Sequence, residues 1–337
     1  MQSTIRIQIA NAPEEINGVT WWRMFSPLML LLRKYRDVQI RWNPGQLFPH
    51  DFINADILFA YRPSNPDHPE TLELARRLGC KILLDYDDNL LNIPLGHPIF
   101  KRNLATPGIV NQCVSLADEV WTSTEHLKTT LQTANRQFVA TKHGKENPAF
   151  GTPDFTIIPN AVHPSALPAH GNGNTKLAVW RGDWLHRDDL ELWKEQYRKI
   201  LRSVKTFLWA GYMPAWGKVD GPTEINYQTN FIATDLWLQY LRSMRPSLIW
   251  KPLISNDFNY SKSNISRLEA TCAGAICLTN FAGTHPQWEY CTKYIPVVEE
   301  YYTTLWRKSA DDVLQNYDLI QWNEIRYRQL LKLMNNG

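Results

Sequence analysis

The sequence predicts an α/β protein made of two parallel-sheet units in tandem, and three observations point to it. Short apolar runs alternate with helical patterns along the chain, as when strands are buried on both faces by helices. Residues 163–175 interrupt the alternation with Pro164, Pro168, Gly171 and Gly173, and it restarts at Lys176, so a linker separates two halves. The length of 337 residues fits two domains.

Each element has its own signal. Residues 5–10 alternate, with Ile5, Ile7 and Ile9 on one side, and read as the first strand. A helical pattern covers 20–34, and Pro27 either kinks it or marks its true start. The runs 38–42, 55–60, 80–85, 119–123 and 155–158 read as further strands, with helices at 71–78 and 110–116. Thr124 is placed to cap a helix running through Leu131. In the second half, 177–180, 206–210, 247–250, 275–278 and 295–298 read as strands. Helical patterns fall at 188–201, 234–244 and 263–272, and in the tail at 310–334. Ligands of open parallel sheets bind beyond the carboxyl ends of the strands, so the cleft between two facing Rossmann-like domains is the expected site.

Composition removes several classes. Lys and Arg number 36 against 33 Asp and Glu, a net charge of +3 that gives no independent argument for nucleic acid. No run approaches the roughly eighteen apolar residues of a membrane-spanning helix. The longest, 25–32, is followed by Arg33, Lys34 and Arg36. The first residues lack the pattern of a secretion signal, so a cytoplasmic location is expected. Five cysteines without CxxC spacing read as free, buried thiols, and the 14 tryptophans read by default as core. A single glycine, Gly18, in the loop after the first strand does not make the GxGxxG of a dinucleotide enzyme. There is no HExxH and no GxSxG, which disfavours a metallohydrolase and an α/β-hydrolase.

Three segments carry chemistry. The first, 258–278, reads as a polar loop, a helix N-terminus, a helix carrying Glu269, a Gly274 stop and a buried strand. Ser261, Ser263 or Asn264 can cap that helix, whose free N–H groups favour an anion, and Lys262 adds a cation suited to phosphate. Glu269 lies one to two turns in, where a carboxylate can accept hydrogen bonds from a ribose diol. In the second segment the strand 177–180 runs into Arg181, Gly182, His186 and Arg187. A glycine turn at this place in a Rossmann unit lets a diphosphate approach the backbone, and either arginine can neutralise it. In the third, Asp85, Asp87 and Asp88 crowd the end of one strand. Close carboxylates can split their pKa values or bind Mg²⁺ or Mn²⁺, and turn chemistry alone also explains them.

The first two segments resemble the GT-B glycosyltransferases, above all the large retaining nucleotide-sugar-dependent group containing sucrose and lipopolysaccharide sugar transferases, with a bacterial or bacteriophage member in view. The helix carrying Glu269-Ala270, then a small residue, Gly274 and a strand, is the resemblance. Many of that group carry a second glutamate where this chain has Ser261, and the 259–264 loop resembles a subset with phosphate-binding Lys and Ser there. The Asp85–Asp88 run is similar instead to the DxD metal clamp of GT-A glycosyltransferases.

The resemblance implies an α/β GT-B fold: an acceptor-side domain over 1–165, a donor domain over 170–310 and a C-terminal helix, 311–337, crossing back to the first domain. It implies a hexosyl- or pentosyltransferase that moves a sugar from a UDP- or GDP-sugar to an acceptor hydroxyl with retention. Arg181 and Lys262 would stabilise the departing diphosphate, and Asp87 would be an acid/base or positioning group. Nucleotide-sugar contacts would come from Gly18, Gly182, His186, Arg187, Asn259, Ser261, Ser263, Asn264 and Glu269. Asp85 and Asp88 would lie on the acceptor side. No metal ligand is expected, and Mg²⁺ or Mn²⁺ is not expected to be essential. The acceptor stays open between a glycan, a lipid-linked sugar and a modified base in phage DNA. A nucleotide-sugar epimerase and a non-catalytic nucleotide-sugar binder are the alternatives in other classes.

Overall fold

The computed structural model describes residues 4–12, 20–44, 47–97, 100, 105–141, 145–171, 176–228, 234–295 and 299–335. Gly18 and most of its loop, residues 172–175 of the expected linker, and 296–298 of the strand expected at 295–298 lie outside them.

Two sheets, parallel throughout, face each other. The first contains β1 (Ile5–Ala12), β2 (Val38–Pro44), β3 (Ile57–Tyr61), β4 (Lys81–Tyr86), β5 (Glu119–Thr122) and β6 (Asp154–Ile157), in the order β2-β1-β3-β4-β5-β6. The second contains β7 (Leu177–Gly182), β8 (Thr206–Gly211), β9 (Glu224–Gln228), β10 (Leu248–Trp250) and β11 (Ile276–Leu278), in the order β11-β10-β7-β8-β9. Each order reverses direction once, between β1 and β3 in the first sheet and between β7 and β10 in the second. Such a switch point opens a crevice at the carboxyl ends of the strands.

The helices cover both faces of the sheets. A π turn, Trp21–Phe25, runs into α1 (Ser26–Lys34). The helical backbone is continuous from Thr20 through the π turn into α1, so Pro27 does not mark its start; it lies inside the helix, just after the π turn. Next come α2 (Pro49–Ile53), α3 (His68–Arg77), α4 (Thr106–Leu116) and α5 (Glu125–Ala140). Thr124 caps α5, its hydroxyl accepting from the Leu127 amide at 3.2 Å. In the second half the helix expected at 188–201 is divided at Trp193 into α6 (Arg187–Leu192) and α7 (Lys194–Leu201). There follow α8 (Thr234–Met244), α9 (Asp257–Tyr260) and α10 (Ile265–Cys272), then α11 (Glu299–Asn316) and α12 (Leu319–Asn335).

The strand interiors are buried from both sides, and Trp121, Trp180, Trp209, Trp237, Trp250 and Trp288 are fully enclosed. That is the core role expected of the tryptophans; Trp184, at 47% exposure, is an exception. All five cysteines are free and buried. The tail packs on the first sheet: Leu330 and Leu333 of α12 join the cluster of Ile5, Ile7 and Ile9. Tyr327 stacks on Tyr35 at 3.8 Å, and the Asn323 amide donates to the Pro27 carbonyl. Between α11 and α12, Tyr317 and Leu319 exchange backbone hydrogen bonds with Val162, which ties the tail to the segment just before the expected linker.

Candidate functional site

The switch point of the second sheet gathers the donor-side groups. β7 ends on Arg181 and Gly182, and β10 is followed at once by Lys251. Arg181 lies 4.7 Å from the centroid of the Trp237 ring and donates to Glu269 Oε1 at 2.8 Å. Glu269 reaches this point from the middle of α10, whose buried face includes Leu268, Ala270 and Cys272. Gly182 has a structural reason as well. A Cβ there would lie 2.7 and 2.8 Å from the Trp180 ring and 3.1 Å from the His186 ring, so that side of the turn is already filled.

His186 stands in the short 3₁₀ turn Trp184–His186. Its Nδ1 is 2.9 Å from Asp189 Oδ2 and its Nε2 is 3.2 Å from Lys251 Nζ. An ammonium can only donate, so the proton of a neutral imidazole sits on Nδ1 and points to Asp189. Burial, then the charge of Lys251, push His186 down to about 4, against the pull of Asp189. Burial and then Lys262 pull Lys251 down to about 8, against Asp189, Asp183 and Glu269. Asp189 is fixed from its other side by the Ile254 amide at 2.7 Å and the Asn259 side chain at 3.0 Å. Arg187 is half exposed and pairs with Asp188, apart from this cluster.

The loop before α10 departs from expectation. None of Ser261, Ser263 and Asn264 caps the helix. Ser261 donates back to the Asp257 carbonyl of its own turn at 2.9 Å, and Ser263 accepts from Asn160 Nδ2 at 2.7 Å. Asn264 holds the cap position without a side-chain capping bond. Its Nδ2 is buried without a partner, as are Asn259 Oδ1, Asn160 Oδ1 and Trp22 Nε1. The serines are used in holding the two halves together: Thr124 of the first half donates to the Ser261 carbonyl at 3.1 Å, beside the Asn160–Ser263 contact.

On the first half, the three aspartates divide. Asp85 is 1% exposed and accepts from Arg23 Nε at 3.0 Å and Nη2 at 2.6 Å, while Arg23 Nη1 donates to the Ile158 carbonyl. Burial pushes its carboxyl up further than Arg23 pulls it down. Asp85 therefore lies beneath the cleft, where the strand turns it towards Arg23, and not on the acceptor surface expected for it. Asp87 is 3% exposed, accepts from the Tyr61 hydroxyl at 3.0 Å and is pushed up to about 6, chiefly by burial. Asp88 is the more open of the pair. It meets Arg62 at 2.7 Å and Lys262, across the cleft, at 3.9 Å. Burial favours its neutral form, but Arg62, Lys262, His186 and Lys251 outweigh burial and hold it below the usual range.

Two cations here have no sequence motif, Arg62 and Lys251. Arg62 follows β3 with φ of 48°, the left-handed region that costs a non-glycine residue energy, and its side chain bridges Asp87 and Asp88. Both cations stand at the switch points, which only the strand order reveals.

A pocket of about 150 Å³ opens between the halves. Pro94, Gly96 and His97 line it from the first, and Leu185, His186, Asp189, Ile254, Phe258 and Lys262 from the second. Among the described residues no group of three or more His, Cys, Asp or Glu side chains is placed to hold a metal ion. No helix among them is long and apolar enough to cross a membrane.

With two facing parallel sheets and a charged cleft, the chain has the fold of the GT-B glycosyltransferases. It superposes on α,α-trehalose-phosphate synthase (UDP-forming) from Burkholderia vietnamiensis with a TM-score of 0.57 at 11% identity, covering 100% of both chains. The Anabaena protein HepE in complex with UDP gives 0.56 at 11% identity, over 98% of this chain and 100% of that one. A glycosyltransferase from Rickettsia africae gives 0.54 at 11% identity over 100% of both. No protein-family model and no curated protein matches the sequence.

Proposed function

We propose that this chain transfers a sugar from a nucleotide-sugar, with UDP favoured as the nucleotide, to an acceptor hydroxyl. The observation that carries the reading is the switch point of the second sheet, where Arg181, Lys251 and Lys262 gather beside the α10 N-terminus and Glu269. Glu269 would hold the ribose while keeping its bond to Arg181. The diphosphate would lie against Arg181, Lys262 and the uncapped first turn of α10, with the buried Asn264 Nδ2 as a further donor. UDP is named for both the trehalose-phosphate synthase and HepE, which supports uracil over guanine.

In the transfer, the bond from the anomeric carbon to the diphosphate oxygen breaks and the acceptor oxygen bonds to that carbon. The electron pair leaves on the diphosphate, and the acceptor proton goes to a base. Positive charge around the leaving group supplies the catalysis by positioning and electrostatic stabilisation, and by analogy the reaction retains configuration without a required metal. Asp87 is the base we assign, and because it is buried beside Arg62 its surroundings have to open for contact. The domain roles follow the sheets: residues 1–165 take the acceptor, 170–310 the donor, and 311–337 tie the tail to the first. The acceptor is a glycan, a lipid-linked sugar or a modified DNA base. The Ser261 hydroxyl, where resembling enzymes carry a glutamate, is taken up by the Asp257 carbonyl, which favours the second reading, a nucleotide-sugar binder without turnover.

Two variants test the site. Glu269→Ala should weaken UDP-sugar binding by about 1–3 kcal/mol, the worth of a hydrogen bond to a charged group. An unchanged dissociation constant removes Glu269 from the site. Lys262→Ala should weaken UDP more than uridine; equal losses contradict its phosphate role.

A further inference from the structure

Lys251 is a partly buried ammonium with an unusual set of neighbours. It contacts the neutral imidazole of His186 at 3.2 Å, and among the described residues no carboxylate comes within ion-pair distance of it. The groups facing it are His186 from the 3₁₀ turn, Asp183 from the end of β7, Asp189 from α6, Glu269 from α10 and Lys262 from the loop before α10. Each of these carboxylates is engaged elsewhere or lies farther off: Glu269 with Arg181, Asp189 with His186 and Asp183 with the Leu185 amide. Two lysines thus share one wall of the cleft, and the charge of Lys262 disfavours that of Lys251.

We propose that Lys251, buttressed by the Asp189–His186 pair, is an anion-binding residue of this cleft, and that a diphosphate group entering it is bound together with a proton taken up from solvent. The inference rests on the nucleotide-sugar reading for the identity of the diphosphate. The physical reason is linkage. Without ligand, burial and Lys262 leave the lysine only partly charged near its midpoint of about 8. A dianionic or trianionic group beside it favours the ammonium, so binding completes its protonation. His186 fixes the geometry, because its Nε2 accepts one ammonium N–H and aims the remaining two.

The test is titration calorimetry of the intact protein with UDP at pH 8 in two buffers of different ionisation enthalpy. The expected result is an uptake of about half a proton per UDP, and affinity falling up to about tenfold per pH unit above pH 8. Lys251→Met should abolish the uptake and flatten the pH dependence while leaving uridine binding in place, and His186→Gln should reduce both. UDP binding by the wild type without proton uptake overturns the proposal and leaves the nucleotide reading standing. Inorganic pyrophosphate bound with proton uptake, while UDP and GDP do not bind, supports the anion site and overturns the nucleotide reading. Binding of neither UDP nor pyrophosphate overturns both.

Discussion

Asp87 illustrates how one enclosed carboxyl links stability to function. Burial raises it from 3.8 to about 6, with Asp88 and Asp85 adding to the rise and Arg62 and Arg23 opposing it. An acid raised in this way contributes stability below its unfolded value and loses it as pH rises through the folded value. Asp87→Asn cannot ionise and keeps an acceptor for Tyr61. Its unfolding free energy should therefore gain on the wild type by up to about 2–3 kcal/mol between pH 4 and 7, measured by urea denaturation. A constant difference over that range would contradict the displaced carboxyl, and an unaltered acid limb in the rate profile would remove Asp87 as the base. Glu269, Lys262 and His186 drew notice in the sequence because each sits in a segment resembling a donor motif, and the structure places Lys262 and His186 in the lining of one pocket. Arg62 and Lys251 did not, since a lone cation after a strand becomes significant only when strand order puts it at a switch point. Asp85 misleads for a related reason: neighbours in sequence need not share a face, and Asp85 belongs to the strand interior.

Elements with a strong apolar rhythm were legible, and those held by other forces were not. Both sheets follow the expected strands closely because parallel strands buried on two faces read as continuous apolar runs. The edge strand β9 escaped notice because its side chains are largely exposed and polar. The four residues of α9 are held by Asn256, whose side chain accepts from the Asn259 amide, which periodicity does not register. The tail is helical from Glu299, earlier than its pattern suggests. Its last helix, α12, brings Arg326 against the Arg23–Asp85 pair, with burial and Arg23 pulling that guanidinium down to about 9. Two buried cations thus lean on a single carboxylate. Asp85→Asn should cost about 3–5 kcal/mol, the usual result of removing one side of a buried pair. Arg326→Met should be neutral or stabilising, because a buried cation beside a like charge is exchanged for an apolar group. Denaturant midpoints separate the two variants, and a large loss with Arg326→Met would show that α12 needs the charge to dock.

For the whole molecule, two parallel sheets were legible in the sequence, whereas the way they meet was not. Among the described residues the contacts between the two halves include single polar bonds, Thr124 to Ser261, Asn160 to Ser263 and Asp88 to Lys262, ring contacts such as His97 on Phe258, and an apolar seam that holds Trp22, Val162, Leu268 and Cys272. Polar contacts of this kind leave no periodic trace in a sequence. They also place the cleft, with its cations, where a ligand touching both halves adds stability to the folded state alone. The most direct test is thermal unfolding of the full chain with a panel of UDP-, GDP-, ADP- and CMP-sugars, each with and without Mg²⁺. A rise in Tm with UDP-sugars that is the same with and without Mg²⁺ is the expected result. A chain whose Tm is unmoved by every nucleotide-sugar would have the GT-B fold without the donor site proposed for it.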